Sequence, residues 1–265
     1  MLQLQQYIGI AILFMLAACG GTTDIEGALN VTPDDPNVTV LGTIPTGIYF
    51  GINSGELIID NSGSRTDPEE YFVIGEELEN GFYGANVARD HVIYYDDPDE
   101  EGIAVAINSF GDIPNEEMFG IYIQRFDDAP TLPTGSFTFT GDYIGALTTL
   151  PGGGYSGSLL ETSGTVNLTG SFDDMTISGR VTNHQTNISS ETGSNLGDII
   201  LSAGTITDAG FEGRAENIRP DFSGGSGDYS GLFAGTDGSE VLGGLVIKFD
   251  AYDSEIGLFT ATQDP

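Results

Sequence analysis

Histidines, serines and carboxylates are the residues of this chain with the most obvious chemical potential. Nucleophilic catalysis needs a base beside a serine or cysteine, and the chain has only two histidines. His91 enters a predicted strand in "RDHVIYY", and His184 lies in the polar stretch "VTNHQTN", which reads as a loop. No G-x-S-x-G motif accompanies them. With 40 acidic residues, a carboxylate pair carries little information. We therefore predict that the protein is not an enzyme and has no catalytic residues.

One acidic stretch, "DDPDEEG", has the ligand spacing of a calcium loop. Asp97, Asp99 and Glu101 supply alternate carboxylates, as at the start of an EF-hand loop. The twelfth position is Asn108 rather than Glu, and Pro98 interrupts the pattern, so this is not an EF-hand. Two interpretations stay open: an irregular calcium site, or a solvated acidic hairpin tip. No other cofactor is predicted.

The only cysteine, Cys19, follows an apolar run from Tyr7 to Ala18. The run is shorter than the roughly 20 residues that a membrane-spanning helix needs, but it fits a secretory signal. Leu16-Ala17-Ala18-Cys19 resembles the bacterial lipobox, although "MLQLQQY" lacks the usual Lys or Arg. That resemblance implies cleavage of residues 1–18, diacylglycerol on the Cys19 thiol and acylation of its amino group. Gly20, rather than Asp, implies sorting to the outer membrane. The other interpretation is an ordinary cleaved signal with a chance cysteine.

The charge balance limits the partners. The formal net charge is −33, from 40 acidic and 7 basic residues. A field of this sign repels nucleic acid, so no nucleic acid partner is expected. The charge is typical of a solvated acidic surface, and it suits a basic protein partner or bound cations.

Composition indicates an all-β protein, since the chain has 39 glycines and no tryptophan and shows no helical period beyond the signal. Residues 19–42 are polar and read as a flexible tether. Residues 43–130 contain short, irregularly spaced candidate strands and read as a small β-rich domain. "DDAPTLPTG" then marks a junction, and residues 131–265 form a second domain.

Residues 131–265 contain eight candidate strands with period-two patterning. Phe137, Phe139 and Tyr143 share one face of the first, and Asp173-Asp174 makes a tight hairpin between the second and third. Eight antiparallel strands can close into a barrel just wide enough for side chains to fill. We therefore expect no ligand inside the barrel, so that a partner contacts the loops or an outer face. Phe233 and Phe259 are expected in the core.

The barrel motifs resemble those of the transferrin-binding protein B family. The likeness covers about Pro133 to Thr262. The motifs that carry it are Gly164-x-x-x-Leu168-x-x-x-Phe172, Ile177-x-Gly179-x-Val181, Gly210-Phe211-Glu212-Gly213, Gly231-Leu232-Phe233-Ala234-Gly235, Glu240-Val241-Leu242-Gly243-Gly244 and Gly257-Leu258-Phe259-Thr260-Ala261. The resemblance implies a surface lipoprotein of a Gram-negative bacterium, with an eight-stranded antiparallel β-barrel preceded by a β-rich handle-like domain. Residues 43–130 do not match the family's iron-protein-binding surface, so the ligand does not carry over.

The predicted function is therefore that of a lipoprotein anchored to the outer membrane through Cys19, at the cell surface, which binds a partner protein without catalysis. The partner could be a nutrient or iron carrier. The alternative is a structural or adhesion protein of the envelope that uses the barrel as a scaffold. We place the recognition surface in residues 43–130, whose tyrosines either form a binding face or pack into the sheet core. Within that region the binding residues are unknown.

Overall fold

The computed structural model describes residues 28–29, 36–43, 47–51, 56–60, 70–73, 76–87, 90–96, 102–109, 119–126, 128–149, 158–186, 195–218, 224–235, 237–249 and 254–265. These residues contain eighteen β-strands, and no helix among them is long and apolar enough to cross a bilayer. The predicted all-β class is confirmed.

The last eight strands close into an antiparallel barrel. They are β11 (Ser136–Thr149), β12 (Ser158–Ser171), β13 (Thr176–Thr186), β14 (Asp198–Thr207), β15 (Gly210–Ile218), β16 (Gly225–Ala234), β17 (Glu240–Lys248) and β18 (Ser254–Gln263). Each strand pairs with the next along the chain, and β11 pairs with β18 to close the cylinder. Closure leaves the barrel no free edge strand. The predicted barrel is confirmed, and Asp173 and Asp174 lie in the turn between β12 and β13, as expected.

Aromatic and aliphatic side chains pack together in the barrel interior, and glycines on neighbouring strands make room for several of the rings. Phe139, Phe233 and Phe259 are fully buried in one apolar cluster, which confirms the predicted core positions of the last two. A β-carbon placed on Gly243 would lie 2.2 Å from the Phe259 ring. At Gly257 it would lie 2.4 Å from the Tyr143 hydroxyl. Gly213, Gly231, Gly243 and Gly257 therefore lie where inward rings pack against the neighbouring strand.

The first ten strands form two sheets. A four-stranded sheet has the order β1–β3–β4–β5, with β1 (Ala28–Leu29), β3 (Gly47–Gly51), β4 (Glu56–Asp60) and β5 (Glu70–Val73). A six-stranded sheet has the order β2–β10–β9–β8–β7–β6, with β2 (Val38–Thr43), β6 (Glu76–Glu79), β7 (Phe82–Val87), β8 (Asp90–Asp96), β9 (Gly102–Ser109) and β10 (Phe119–Arg125). The expected small β-rich region before the barrel is thus present.

The six-stranded sheet packs one face against the outer wall of the barrel. The shared apolar cluster takes Phe82, Ile93, Ala104, Ala106, Ile121 and Ile123 from the sheet and Ile144, Ala146, Leu232, Leu242, Ile256 and Leu258 from the barrel. The opposite face of the sheet is also buried, with Tyr94 at 2% and Tyr122 at 0% exposure. These two tyrosines therefore pack into the core rather than forming a binding face.

Arg125 ties the sheet to the barrel and to the chain that precedes β2. Its guanidinium is buried and donates to the carbonyl oxygen of Phe233 at 2.6 Å and to Asn37 Oδ1 at 2.7 Å. Residues 38–42 end the predicted tether of residues 19–42, but they belong to β2, which pairs with β10. Ala28–Leu29, also in the predicted tether, pairs with β3. The tether prediction is wrong for these residues, and Arg125 fixes Asn37 just before β2. A polar composition alone does not reveal that contact.

Candidate functional site

Four polar side chains meet inside the barrel, near the end where β11, β13, β15 and β17 finish and β12, β14, β16 and β18 begin. We call this the loop end. Tyr143 comes from β11, Thr162 from β12, His184 from β13 and Glu255 from β18. None is more than 1% exposed. We call these four residues the buried polar cluster.

Glu255 is the centre of the cluster. Its Oε1 accepts hydrogen bonds from the Tyr143 hydroxyl at 3.0 Å and the Thr162 hydroxyl at 2.8 Å. His184 Nε2 lies 2.7 Å from the same oxygen. The other ring nitrogen, Nδ1, lies 3.1 Å from the carbonyl oxygen of Gly197 and must donate to it, since a carbonyl only accepts.

The electrostatics of the cluster favour an ionised Glu255. Burial raises the pKa of this carboxyl group, but the charge of His184 and the hydrogen bonds from His184, Thr162 and Tyr143 outweigh burial, so its pKa is lowered. The carboxylate then accepts from Nε2, and the pair is a buried salt bridge with both side chains fully buried. Burial and the neighbouring Glu255 charge raise the pKa of Tyr143 well above its ordinary value, so its hydroxyl stays protonated and donates.

His184 is the residue that sequence reasoning misplaced. The polar composition of "VTNHQTN" predicts a loop, but His184 lies in β13 and is 1% exposed. Counting in twos from Val181 would turn Asn183 inward and His184 outward. A β-bulge at Asn183, which has a positive φ of 54°, adds one residue to β13 against β12 and reverses that alternation. An asparagine before a histidine in a strand was the available signal, since asparagine tolerates this conformation.

The cluster joins four strands, β11, β12, β13 and β18, and His184 also bonds the carbonyl of Gly197 just before β14. Tyr143 and Glu255 lie on β11 and β18, the pair that closes the barrel. The His184 ring also contacts the Tyr143 ring edge-on, with centroids 5.7 Å apart. Because all four side chains are shut away from solvent, the arrangement can orient strands and hold a proton. It is not placed to act on a molecule at the barrel surface.

The outer wall of the barrel carries a polar groove on the side formed by β11 to β14. The groove has a volume of about 570 Å³, and the residues around it include Thr140, Asn167, Ser178, Arg180 and Ser202. Arg180 is exposed and lies 3.7 Å from Asp198, a distance typical of a weak surface pair. The groove is therefore largely neutral, in contrast to the net charge of −33 for the whole chain.

The residues that the sequence singled out for lipidation and metal binding lie outside the described residues. These are Cys19 for the lipid and Asp97, Asp99 and Glu101 for calcium. Within the described ranges, no group of three or more histidine, cysteine or acidic side chains is arranged to hold a metal ion. His91 lies in β8, as its sequence context predicted.

The fold is that of an all-β protein in which a sheet is packed on the outer wall of a closed eight-stranded barrel. No protein-family model and no curated protein sequence matches the chain. Solved structures do match. One is the isotype 1 transferrin binding protein B from serogroup B Neisseria meningitidis, with 13% identity and a TM-score of 0.46, covering 86% of this chain and 43% of that one.

Two further structures show the same kind of likeness. A variant of transferrin binding protein B from Haemophilus parasuis is 14% identical over 78% of this chain and 40% of that one, with a TM-score of 0.47. The N-lobe of lactoferrin binding protein B of Moraxella bovis is 18% identical over 72% of this chain and 80% of that one, with a TM-score of 0.37. The chain spans less than half the length of the first two. The solved structures that match thus bear the names of the family whose motifs the barrel sequence resembles.

Proposed function

We propose that this protein is a lipoprotein of the bacterial outer membrane, exposed at the cell surface, which binds a partner protein and performs no catalysis. The single observation that carries the proposal is the contrast between the inside and the outside of the barrel. The acid–base groups of the interior are sealed off, with Glu255 at 0% and His184 at 1% exposure. The exposed side chains that the structure describes include strand faces on the outside of the barrel, which suit recognition.

The anchor part of the proposal rests on the sequence. Leu16-Ala17-Ala18-Cys19 has the spacing of a lipobox, and Cys19 is the only cysteine. Cleavage before Cys19 would leave a chain attached by its first residue. Two or more acyl chains on that residue are enough for stable anchoring, whereas one is marginal.

The binding part of the proposal takes the partner to be a protein. The net charge of −33 favours a partner with a basic surface and disfavours nucleic acid. We place the recognition surface in residues 43–130, and iron carriers of the transferrin class are the first candidates, because the solved structures with a similar fold bear the names of transferrin and lactoferrin binding proteins. Calcium at Asp97, Asp99 and Glu101 stays a prediction.

The anchor is tested by replacing Cys19 with serine in cells fed a palmitate label. The wild-type protein should be labelled and should partition into detergent, and Cys19→Ser should do neither. A control such as Ser54→Ala, which leaves the cysteine in place, should behave as wild type. Labelling of the Cys19→Ser protein would refute lipidation at this residue.

Partner binding is tested with the mature full-length protein in detergent. Transferrin, lactoferrin and fractionated envelope extracts are offered as separate baits, and the dissociation constant of each complex is measured at rising salt. A specific complex with a carrier that weakens as salt rises supports the proposal, because exposed charges are screened. Binding only to envelope components would favour the adhesion or structural alternative. Turnover of a substrate by the purified protein would contradict the non-catalytic role.

A further inference from the structure

The two edge strands of the six-stranded sheet differ in charge. At one edge, β6 (Glu76–Glu79) has three glutamates among its four residues. At the other edge, β2 (Val38–Thr43) has the sequence VTVLGT, without a charged residue or a proline. Within the described ranges, β10 is the strand that pairs with β2, and no strand pairs with its other side, which we call the open edge. Native proteins usually guard such an edge with charges or proline, because its backbone can pair with another chain.

The hydrogen-bond register shows which backbone groups of β2 point toward the open edge. The Arg125 N–H donates to the Asn37 carbonyl at 2.9 Å, so these two residues form a hydrogen-bonded pair. Such pairs recur at every second residue of an antiparallel ladder, and the register of β2 against β10 is unbroken. The N–H and C=O groups of Val38, Val40 and Gly42 therefore point away from β10. Among the described residues, none of the backbone hydrogen bonds outside the strand ladders involves these three.

The open edge is accessible, and the strand behind it is fixed. Val40 is 38% exposed, and Gly42 is exposed as well. Leu41 packs against the apolar cluster between the sheet and the barrel, which holds β2 in place. Gly42 has a positive φ of 83°, so the regular strand ends beside it. Residues Val38–Leu41 thus offer a held, extended backbone with a free side.

The barrel wall next to the open edge is acidic. Along the sheet, β8 contacts β11 and β18, β9 contacts β18 and β17, and β2 contacts β17 and β16. Successive sheet strands thus lie over successive barrel strands, so a strand added beyond β2 would lie over β15. The outer face of β15 and the turn before it expose Asp208, Glu212 and Glu216. Arg214, exposed on the same strand, is already paired with Asp228 at 2.8 Å.

We propose that β2 is the docking site for an extended basic segment of a partner protein, which adds to the sheet as an antiparallel strand. This inference rests on the proposed binding of a basic protein partner, and it extends the recognition surface to the residues just before position 43. Backbone hydrogen bonds to the open edge supply affinity, and alternate basic side chains meet the carboxylates of β15. A second copy of this chain suits the edge less well, because Val38–Thr43 has no basic side chain to offer.

The register also predicts which side chains of the added strand face the barrel. Residues directly opposite each other in a sheet share a face. Leu41 faces the barrel, and so does Thr39 two positions before it. Basic side chains of the added strand therefore lie opposite these two residues. The alternate residues lie opposite Val38 and Val40, and their N–H groups donate to the open edge.

A blocked peptide in which lysine and valine alternate is the probe, titrated into the full mature chain in detergent. In the free protein, the amides of Val38, Val40 and Gly42 should exchange hydrogen rapidly, and they should become protected when the peptide binds. The amides of Thr39 and Leu41 bond to β10 and should be protected in both states. Binding should weaken as salt rises, and a peptide with glutamate in place of lysine should not bind.

Two methylated peptides test the backbone pairing without changing the charge. Methylation of the valine amides removes the donors to the open edge and should weaken binding at least about tenfold. Methylation of the lysine amides is the matched control, because those N–H groups point to solvent, and it should leave most of the affinity. Equal binding of the two methylated peptides would overturn the proposal.

Variants of the chain locate the site. Val40→Pro removes an N–H at the open edge and no bond to β10, so it should fold and should bind the peptide at least about tenfold more weakly. Glu212→Gln combined with Glu216→Gln should weaken binding and reduce its dependence on salt. Asp264→Asn is the control for charge, since Asp264 is exposed beside β11, and it should bind as wild type does. The methylated peptides decide the matter on wild-type protein if Val40→Pro does not fold.

Absence of peptide binding, or binding that leaves the amides of Val38, Val40 and Gly42 unprotected, would overturn the proposal. So would a dimer of the chain alone that Val40→Pro disrupts, because a second copy would then occupy the edge. The carrier and envelope baits separate this inference from the proposed function. A bait complex with unchanged affinity in Val40→Pro would leave the proposed function standing and overturn the inference. Peptide addition at β2 without any bait complex would contradict the proposed function alone.

Discussion

Replacing Glu255 with alanine should strongly destabilise the barrel, because three buried donors lose their common acceptor at once. The hydroxyls of Tyr143 and Thr162 and Nε2 of His184 all lie within 3.0 Å of Oε1. Removing one partner of a buried ion pair typically costs about 3–5 kcal/mol. Domains are stable by only about 5–15 kcal/mol, so this is a large fraction of the total. Glu255→Gln also removes the charge beside His184 but keeps an acceptor for both hydroxyls, so it should destabilise the barrel less than Glu255→Ala does.

The same pair predicts how the stability of the barrel depends on pH. The pKa of Glu255 is lower in the folded protein than in the unfolded chain, where glutamate has a pKa of about 4.3. A group of this kind contributes stability that is fully present above its unfolded pKa and is lost as pH falls through its folded pKa. Glu255→Gln has no such group. The difference in unfolding free energy between wild type and Glu255→Gln should therefore shrink in acid.

Urea denaturation followed by far-ultraviolet circular dichroism measures both effects on the full chain. Wild type, Glu255→Ala and Glu255→Gln are compared at neutral pH and at a pH near the folded pKa. Only differences between variants are interpreted, because the chain has 39 other acidic residues that titrate in the same range. The reasoning is refuted if Glu255→Ala unfolds within about 1 kcal/mol of wild type, well below the cost of breaking a buried pair. An acid profile of Glu255→Gln that runs parallel to wild type would refute the pH argument.

Three further changes test the packing, each by the same unfolding measurement. Phe259→Ala should lower the free energy of unfolding by about 3–5 kcal/mol, because the ring is fully buried in the barrel core. A loss under about 1 kcal/mol would place the ring outside the core. Gly257→Ala should destabilise the protein by about 1–3 kcal/mol, because its β-carbon would lie 2.4 Å from the buried Tyr143 hydroxyl. Gly170→Ala is the control and should be near neutral, because the nearest atom to its β-carbon would be a ring carbon of Phe172 at 3.6 Å. Equal effects of the two glycine changes would contradict this packing. Arg125→Met should cost about 2–3 kcal/mol by leaving the buried Phe233 carbonyl without its donor. Arg214 forms an exposed ion pair, so the control Arg214→Met should change stability by under about 1 kcal/mol. An equally small effect of Arg125→Met would show that Arg125 does not tie the sheet to the barrel.

The docking of the six-stranded sheet was beyond sequence reasoning. In β10, Ile121 and Ile123 pack against the barrel, and Tyr122 on the opposite face is also 0% exposed. A period of two separates the faces of a strand and does not say what covers each face. Likewise, nothing in the sequence around Val38–Thr43 shows that Asn37, just before the strand, is held by a buried arginine 88 positions later.

The strands of the barrel are predictable from the sequence alone. Eight period-two strands, the hairpin at Asp173-Asp174 and the inward aromatic residues were all readable, because alternation of apolar side chains is a local property of strands. The buried polar cluster was decided only by the tertiary structure. Closure of the barrel brings Glu255 beside Tyr143, which precedes it by 112 positions, and a one-residue bulge at Asn183 turns His184 inward. A bulge turns every following residue of its strand to the opposite face. Closure of the barrel pairs strands that are far apart in the sequence. Neither event leaves a periodic signal in the sequence.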